Sequence, residues 1–187
     1  MNLSEISSRI SCCSDCPLHE NATRSVPGEG DPDAEVIFVG EGPGKDEDEK
    51  GRPFVGRGGE KLNDLLHSQS IARDQVYITN IVKHRPPENR NPRNQEIEAC
   101  SGYLWEEIDR IDPLVIVPLG NTATRELLNT KEGITTLRGE FYSWQRGIKI
   151  FPMYHPSYLL RNLPGKGKKS PEEQSLEDMH RLKEEVF

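Results

Sequence analysis

The sequence predicts a three-layer α/β/α sandwich with a central, mostly parallel four-stranded sheet. Two observations lead to this fold: four short apolar segments have strand character, and patterns with helical spacing lie between them. The predicted strands cover residues 36–39, 76–81, 114–119 and 148–153. Strands that are apolar on both faces and alternate with helices favour a parallel sheet that is covered on both sides. A length of 187 residues fits one domain, so we expect residues 1–187 to fold as a unit.

Helical patterns fill the intervals between the predicted strands. The apolar positions that recur at helical spacing are Leu62, Leu65 and Leu66, then Ile97, Leu104, Ile108 and Ile111, and finally Leu176, Met179, Leu182 and Val186. Asn121 and Thr122 are suited to cap a further helix that continues through Leu128. These helices would cover the two faces of the sheet.

Composition limits the classes of function. The formal net charge of −7 argues against general binding to polyanions. No apolar run approaches the roughly 20 residues that span a bilayer, and we expect no membrane association. Four cysteines, at positions 12, 13, 16 and 100, are too few and too unevenly placed for a disulfide scaffold. We therefore expect a monomeric protein in the reducing cytoplasm.

A glycine-rich turn follows the first predicted strand, where residues 40–44 read Gly-Glu-Gly-Pro-Gly. Phosphate-binding loops present bare amides, and the acidic side chain of Glu41 would repel a phosphate. The glycines also do not complete the G-x-G-x-x-G spacing of dinucleotide-binding loops. The turn alone is consistent with two interpretations: a tight connection, or a place where a ligand approaches the backbone.

Polar residues stand at the ends of all four predicted strands. Glu41 follows the first, Asn80 ends the second, Asn121 follows the third and His155 follows the fourth. In an open parallel sheet these ends meet at one crevice, where ligands bind. Each residue alone could serve in a turn, a cap or a loop, but their joint placement favours a binding site.

Basic residues are concentrated in two predicted loops beside the same edge. One loop carries Arg161, Lys166, Lys168 and Lys169 after a pair of leucines, and the other carries Lys83, Arg85, Arg90 and Arg93. Exposed leucines beside cations suit a wedge that enters a duplex while the cations hold phosphates. The lysine run taken alone is more typical of a solvated surface.

The cysteines predict a metal site. Cys13, Cys16 and Cys100 supply three soft ligands, and the fourth would be His84 or the adjacent Cys12. Spacing alone favours zinc held by three cysteines and one histidine, because iron-sulfur clusters are normally held by four thiolates.

Five sequence blocks, in the same order along the chain, resemble the family 4 iron-sulfur uracil-DNA glycosylases. The blocks are residues 40–44, 51–59, 77–83, 117–120 and 155–161. The resemblance covers nearly the whole chain and implies a three-layer α/β/α fold. It also implies a four-iron four-sulfur (4Fe-4S) cluster bound by the N-terminal segment, and removal of uracil from single- or double-stranded DNA in base excision repair.

The resemblance implies a uracil-binding set of Gly40, Gly42, Glu47, Phe54 and Asn80. Phe54 would stack on the flipped base, and the Asn80 amide would read the edge that separates uracil from cytosine. The two glycines would let the backbone lie close to the base and sugar. Glu47 would meet C5 of uracil, and we expect it to help exclude the methyl group of thymine.

The implied catalytic residues are Glu41 and His155. His155 would point at uracil O2, where negative charge develops as the glycosidic bond breaks. Glu41 would orient or activate the attacking water and stabilise positive charge on the sugar, as a base or as an electrostatic partner.

The implied intercalation loop contains Tyr158, Leu159, Leu160 and Arg161. These residues would fill the gap left by the flipped nucleotide and partly offset the unstacking free energy of a few kcal/mol.

The chain departs from the family pattern at one position, where His84 replaces the usual cysteine after Ile-Val-Lys. Histidine ligates iron in Rieske centres, so the leading interpretation is a 4Fe-4S cluster held by Cys13, Cys16, His84 and Cys100. An incomplete or lost cluster, ligation by Cys12, and zinc stay as alternatives. A related branch that traps uracil-DNA covalently uses a histidine in an inserted basic loop, and residues 85–93 contain none. We therefore expect turnover.

Two other functions stay open on the sequence. One is a protein that binds uracil in DNA with little turnover, and the other is a zinc-stabilised nucleotide-binding domain of unknown activity. Colour separates an iron-sulfur cluster from zinc, and release of uracil separates an enzyme from a binder.

Overall fold

A computed structural model describes residues 2–161 and 169–187, and it has the predicted three-layer α/β/α architecture. The strands are β1 (Glu29–Gly30), β2 (Val36–Gly40), β3 (Tyr77–Asn80), β4 (Val115–Pro118), β5 (Tyr142–Ser143) and β6 (Lys149–Ile150). They form a six-stranded sheet in the order β1-β3-β2-β4-β6-β5, with a parallel centre and two antiparallel edge strands. The prediction of four strands therefore missed the two edge strands, β1 and β5. Each edge strand has two residues, which is too short for an alternating pattern.

Helices surround this sheet in the described part of the chain. They are α1 (Leu3–Ser11), α2 (Leu18–Asn21), α3 (Lys45–Lys50), α4 (Arg57–Ser68), α5 (Asn94–Ile111), α6 (Asn121–Leu128), α7 (Ile134–Leu137), α8 (Pro156–Leu159) and α9 (Pro171–Val186). Short 3-10 turns cover Arg73–Gln75, Pro87–Asn89 and Gln145–Gly147. Each helix that the structure describes is too short or too polar to span a lipid bilayer.

Strand β2 divides the hydrophobic core into two layers. Val36 and Phe38 lie in a cluster with apolar residues of α4 and α9, whereas Ile37 and Val39 lie in a cluster with α1, α5 and α6. All four side chains are fully buried, as expected for a strand at the centre of a parallel sheet.

The strand register brings the loops of interest to one edge. Gly40 pairs with Asn80 at the carboxyl ends of β2 and β3. An isolated parallel bridge between Leu119 and Met153 aligns the segments that follow β4 and β6. The loops that carry Glu41 and His155 consequently leave the sheet on the same side.

The start of α6 differs from the predicted cap. Gly120, with φ of 88°, is the N-cap residue, and Asn121 and Thr122 lie inside the first turn. The Asn121 side-chain oxygen instead accepts a hydrogen bond of 2.8 Å from the amide of Ile134, at the beginning of α7. The side chains of Asn121 and Thr122 therefore bond to neighbouring loops and do not cap α6.

Candidate active site

A cleft of about 700 Å³ opens at the carboxyl edge of the sheet. Glu41, Asn80, Asn121 and His155, which follow or end four different parallel strands, all line it. Because these side chains come from separate chain segments, the fold and not local sequence brings them together.

Asn80 lies at the floor of this cleft with only 2% of its surface exposed. Its side-chain oxygen Oδ1 is buried and has no hydrogen-bond partner within the described residues. Gly40 leaves room for this group, because a Cβ atom there would overlap Asn80 Oδ1 and lie 2.6 Å from Phe54 Cζ. A buried acceptor without a partner is rare in folded proteins, and here it belongs to a residue that lines the cleft.

Phe54 forms a flat apolar wall next to Asn80. Its backbone is in the left-handed region, with φ of 49°, which is unusual for a bulky residue. Arg73 holds this conformation by donating to the carbonyl of Pro53 at 2.7 Å and to that of Phe54 at 3.2 Å. Gly59 permits it, because a Cβ there would overlap the Phe54 carbonyl.

Glu47 holds the loop around Phe54 from the other side. One carboxylate oxygen accepts hydrogen bonds of 2.8 Å from the amides of Val55 and Gly56, and the other accepts one of 3.1 Å from Gly44. Glu47 also lines the cleft. Its contact with C5 of uracil stays a prediction. The sequence did not indicate its role in joining the glycine-rich turn to the Phe54 loop.

His155 faces the cleft as a neutral imidazole. Burial, with a further contribution from Arg161, lowers the pKa of His155 to about 4. Its Nδ1 accepts a hydrogen bond of 3.2 Å from the amide of Ser157, which leaves the proton on Nε2. The ring packs against Phe54 with centroids 5.7 Å apart. His155 can therefore donate one hydrogen bond from Nε2 at neutral pH.

Glu41 projects from the turn after β2 and is only partly exposed. Thr122, in the first turn of α6, donates a short hydrogen bond from its hydroxyl to the Glu41 carboxylate. Thr122 was predicted only as a helix cap, although its place after a predicted parallel strand was a signal for a site residue. The hydroxyl fixes one carboxylate oxygen and leaves the other free to accept.

The predicted intercalation residues occupy different environments. Leu160 is 40% exposed, and Arg161 is exposed beside the cleft. Leu159 is only 7% exposed and packs in the core layer that contains α4 and α9, so insertion into DNA would require it to leave the core. Tyr158 lines the cleft and packs against Tyr154, with ring centroids 5.0 Å apart.

The two basic loops are less basic than the sequence suggests. Lys83 is fully buried, so its prediction as a surface cation is wrong, and Lys169 is paired with Glu177. Arg90, which lines the cleft, forms a salt bridge of 2.6 Å with Glu96. Lys166 and Lys168 lie outside the described residues.

The three cysteines predicted as metal ligands lie close to one another on the N-terminal segment and α5, and His84 follows Lys83, whose amide contacts Cys100. Cys16, Cys100 and His84 are buried, and Cys13 is partly buried. Burial raises the pKa of Cys100 to about 11, with smaller contributions from the neighbouring Cys16 and Cys13 thiols. The amide of Lys83 donates to the sulfur of Cys100 at 3.2 Å.

The fourth predicted ligand position has a distinct environment. Burial, followed by the nearby His19, lowers the pKa of His84, which keeps the ring neutral as ligation requires. Cys12, in contrast, is exposed at the end of α1. Among residues 2–161 and 169–187, no group of three His, Cys, Asp or Glu side chains is arranged to hold a single metal ion.

The fold and cleft define the class: a three-layer α/β/α protein with a cleft at the carboxyl edge of its parallel sheet. Residues 27–179 match the family model of the Uracil DNA glycosylase superfamily, and the chain belongs to this superfamily. Among its relatives, the type-4 uracil-DNA glycosylase of Thermotoga maritima is 50% identical over 158 residues, which are 84% of this chain and 82% of that protein.

Two archaeal relatives have the same name. The type-4 uracil-DNA glycosylase of Sulfurisphaera tokodaii is 44% identical over 169 residues, covering 86% of this chain and 77% of the relative. The corresponding protein of Archaeoglobus fulgidus is 42% identical over 166 residues, covering 85% and 83%. The order of the sequence blocks and the architecture agree with these matches.

Proposed function

We propose that this protein is a monofunctional uracil-DNA glycosylase that hydrolyses the bond between uracil and deoxyribose and leaves an abasic site. The observation that carries the proposal is the unpaired Asn80 Oδ1, buried in the cleft beside the ring of Phe54. Membership of the superfamily and the names of the relatives support it.

Recognition of uracil follows from the chemistry of this acceptor. The N3–H of uracil would donate to Asn80 Oδ1, whereas N3 of cytosine carries no hydrogen and would leave the acceptor unpaired. A site built to pair a buried polar group rejects an analogue that lacks the partner far more strongly than an apolar pocket could. Phe54 supplies the stacking surface for the flipped base, and Glu47 is the proposed barrier to the C5 methyl of thymine.

In the proposed reaction, the C1′–N1 bond breaks and its electron pair stays on uracil. The Nε2–H of neutral His155 would donate to O2, where that charge accumulates. Glu41, held by Thr122, would orient a water toward C1′, accept its proton and stabilise the cationic sugar. The water oxygen bonds to C1′, and the proton taken by Glu41 returns through solvent to the uracil anion, so the products are free uracil and an abasic deoxyribose.

The donor set is chemically suited to an iron-sulfur cluster. Cys13, Cys16 and Cys100 are neighbouring thiols, and His84 is a buried neutral imidazole next to the ring of His19. The N–H donor on Cys100 sulfur is of the kind that tunes cluster ligands. We propose these four as ligands, because Cys12 is exposed. When bound, the cluster would cross-link the N-terminal segment, the loop after β3 and helix α5.

The proposed substrate is uracil-containing DNA, either single-stranded or duplex. Leu160 and Arg161 are the exposed members of the predicted intercalation loop, and Arg161 lines the cleft. In a duplex, Leu160 would fill the space left by the flipped nucleotide, while Arg161 would contact a phosphate.

The deciding experiment incubates the purified protein with matched oligonucleotides that contain one uracil or one thymine. Alkali then cleaves any abasic site, and the products are separated by size. We expect cleavage at uracil only, with many turnovers per protein molecule. Binding to uracil without cleavage would instead favour a DNA-damage binder. Iron content and broad visible absorbance of the same sample test the cluster, and a colourless protein with one zinc per chain would contradict it.

A further inference from the structure

A fully buried ion pair lies beneath Asn80 and has no part in the chemistry proposed above. Lys83 is 0% exposed, and its ammonium group lies 2.7 Å from the carboxylate of Glu107, which is 1% exposed. Removing two charges from water is unfavourable, and apolar residues of similar volume commonly stabilise a fold as well or better. Stability alone therefore does not account for this pair.

The Lys83 ammonium uses all three of its hydrogens, and one of them reaches the backbone of the proposed uracil reader. It donates to Glu107, to the hydroxyl of Thr79 at 2.6 Å and to the carbonyl of Asn80 at 2.9 Å. A charged donor makes a hydrogen bond stronger than a neutral one does. This contact holds the peptide group between Asn80 and Ile81, at the point where β3 ends.

Glu107 is held as tightly as its partner. Its two oxygens accept from the hydroxyls of Tyr77 and Thr79, at 3.2 and 2.9 Å, and from the amide of Gly28 at 3.1 Å. The ion pair thus joins helix α5, which carries Glu107, to strand β3 and the segment before β1. The amide of Lys83 also donates to Cys100 on α5, so the same residue contacts the proposed metal site.

We propose that Lys83 and Glu107 are positioning residues that set the orientation of Asn80 and thereby the discrimination between uracil and cytosine. The proposal rests on the proposed function, because it takes Asn80 as the group that reads the base. The mechanism is local: Asn80 Oδ1 has no partner of its own to hold it, so its direction depends on the backbone that Lys83 fixes.

The test uses a variant that removes both charges without leaving one unpaired. In Lys83→Met/Glu107→Gln, methionine fills the space of lysine, the glutamine carbonyl still accepts from Tyr77 and Gly28, and its NH2 group donates to the Thr79 hydroxyl. Lys83→Met alone is the second variant, since Glu107 keeps three donors there. The matched control is Arg181→Met/Glu140→Gln, an exposed pair of a cation and a carboxylate that joins α9 to the segment before β5 and does not line the cleft.

The measured quantity is binding to oligonucleotides that contain 2′-fluoro-deoxyuridine or 2′-fluoro-deoxycytidine. The electron-withdrawing fluorine opposes formation of the sugar cation, so discrimination is read without turnover. We expect the neutral double variant to retain its thermal unfolding midpoint within a few degrees and to lose roughly tenfold or more of its uracil preference. The control should discriminate as the wild type does.

An Asn80→Ala background separates positioning from a general structural effect. If Lys83 and Glu107 act through Asn80, adding Lys83→Met/Glu107→Gln to Asn80→Ala gives no further loss of preference. An equal further loss in that background would overturn the inference, and so would an unchanged preference in either Lys83 variant. A wild type that prefers uracil but does not release it would overturn the proposed hydrolase and leave this inference standing. A wild type without any preference would overturn both.

Discussion

The neutral state of His155 gives a prediction about pH that can be worked out from the structure. Burial lowers the pKa of His155 to about 4, whereas an exposed histidine titrates near 6.5. In the unfolded chain the residue therefore binds a proton at a higher pH than in the folded protein. The contribution to the free energy of unfolding is fully present above pH 6.5 and is lost as the pH falls from 6.5 toward 4.

The size of this effect follows from the two pKa values. At about 1.4 kcal/mol per unit, His155 should remove about 2 kcal/mol of stability between pH 7 and pH 5, and about 3 kcal/mol by pH 4. Over the range from pH 5 to pH 8 the folded protein keeps Nε2–H as its donor. Release of uracil should accordingly show no inflection near pH 6.5 that depends on His155.

The assay compares urea unfolding of the wild type and His155→Gln at pH 7 and pH 5. Glutamine does not bind a proton in this range, so the pH-dependent loss should be smaller in the variant by about 2 kcal/mol. His67→Gln is the matched control, because His67 is exposed on α4, and it should behave as the wild type does. Equal losses of stability in the wild type and His155→Gln would refute the reasoning. So would a pH profile of wild-type activity with an inflection near pH 6.5 that is absent from the residual activity of His155→Gln.

Four further substitutions, at three positions, test other parts of the cleft. Gly40→Ala should lower kcat/KM for uracil release by roughly 100-fold, because its Cβ would overlap Asn80 Oδ1; near-normal kinetics would contradict the close packing. Glu47→Gln keeps the bulk near C5, but its NH2 group cannot accept, so the hydrogen bonds on one side of the side chain are lost; urea unfolding should show a loss of about 1–3 kcal/mol without release of thymine. Glu47→Ala should also release thymine, and its failure to do so would count against a steric role. Leu160→Ala should reduce activity on duplex substrates roughly tenfold more than on single strands, and equal losses would rule out the wedge.

The central fold was readable from sequence because its signals are local. Strand β2 is a short run of β-branched and aromatic residues, and helix α5 has apolar residues at helical spacing, so neither required knowledge of distant contacts. The edge strands β1 and β5 were missed because each has two residues and exists only through pairing with a neighbour. Strand pairing of this kind is not encoded in periodicity.

The candidate site was only partly readable, for a related physical reason. Asn80 and His155 stand at strand ends, and that position alone indicated a cleft. The roles of Lys83 and Glu107 depend on a contact between two buried charges that are 24 residues apart in the sequence. Nothing in the sequence around Lys83 indicates that contact. A lysine in such a segment is normally exposed, so the sequence favoured the wrong environment.

Unfavourable local features are concentrated at the cleft, and their supports lie just behind it. Phe54 has a left-handed backbone and Asn80 has an unpaired buried acceptor, each of which lowers the stability of the folded state. Arg73 supports the Phe54 backbone by donating to two carbonyls, and Lys83 supports Asn80 by donating to its carbonyl. Both supports are cations that act on main-chain oxygens without reaching the cleft. In the proposed complex, the Phe54 ring and the Asn80 acceptor would be in place before a base enters, so binding would not need to order them.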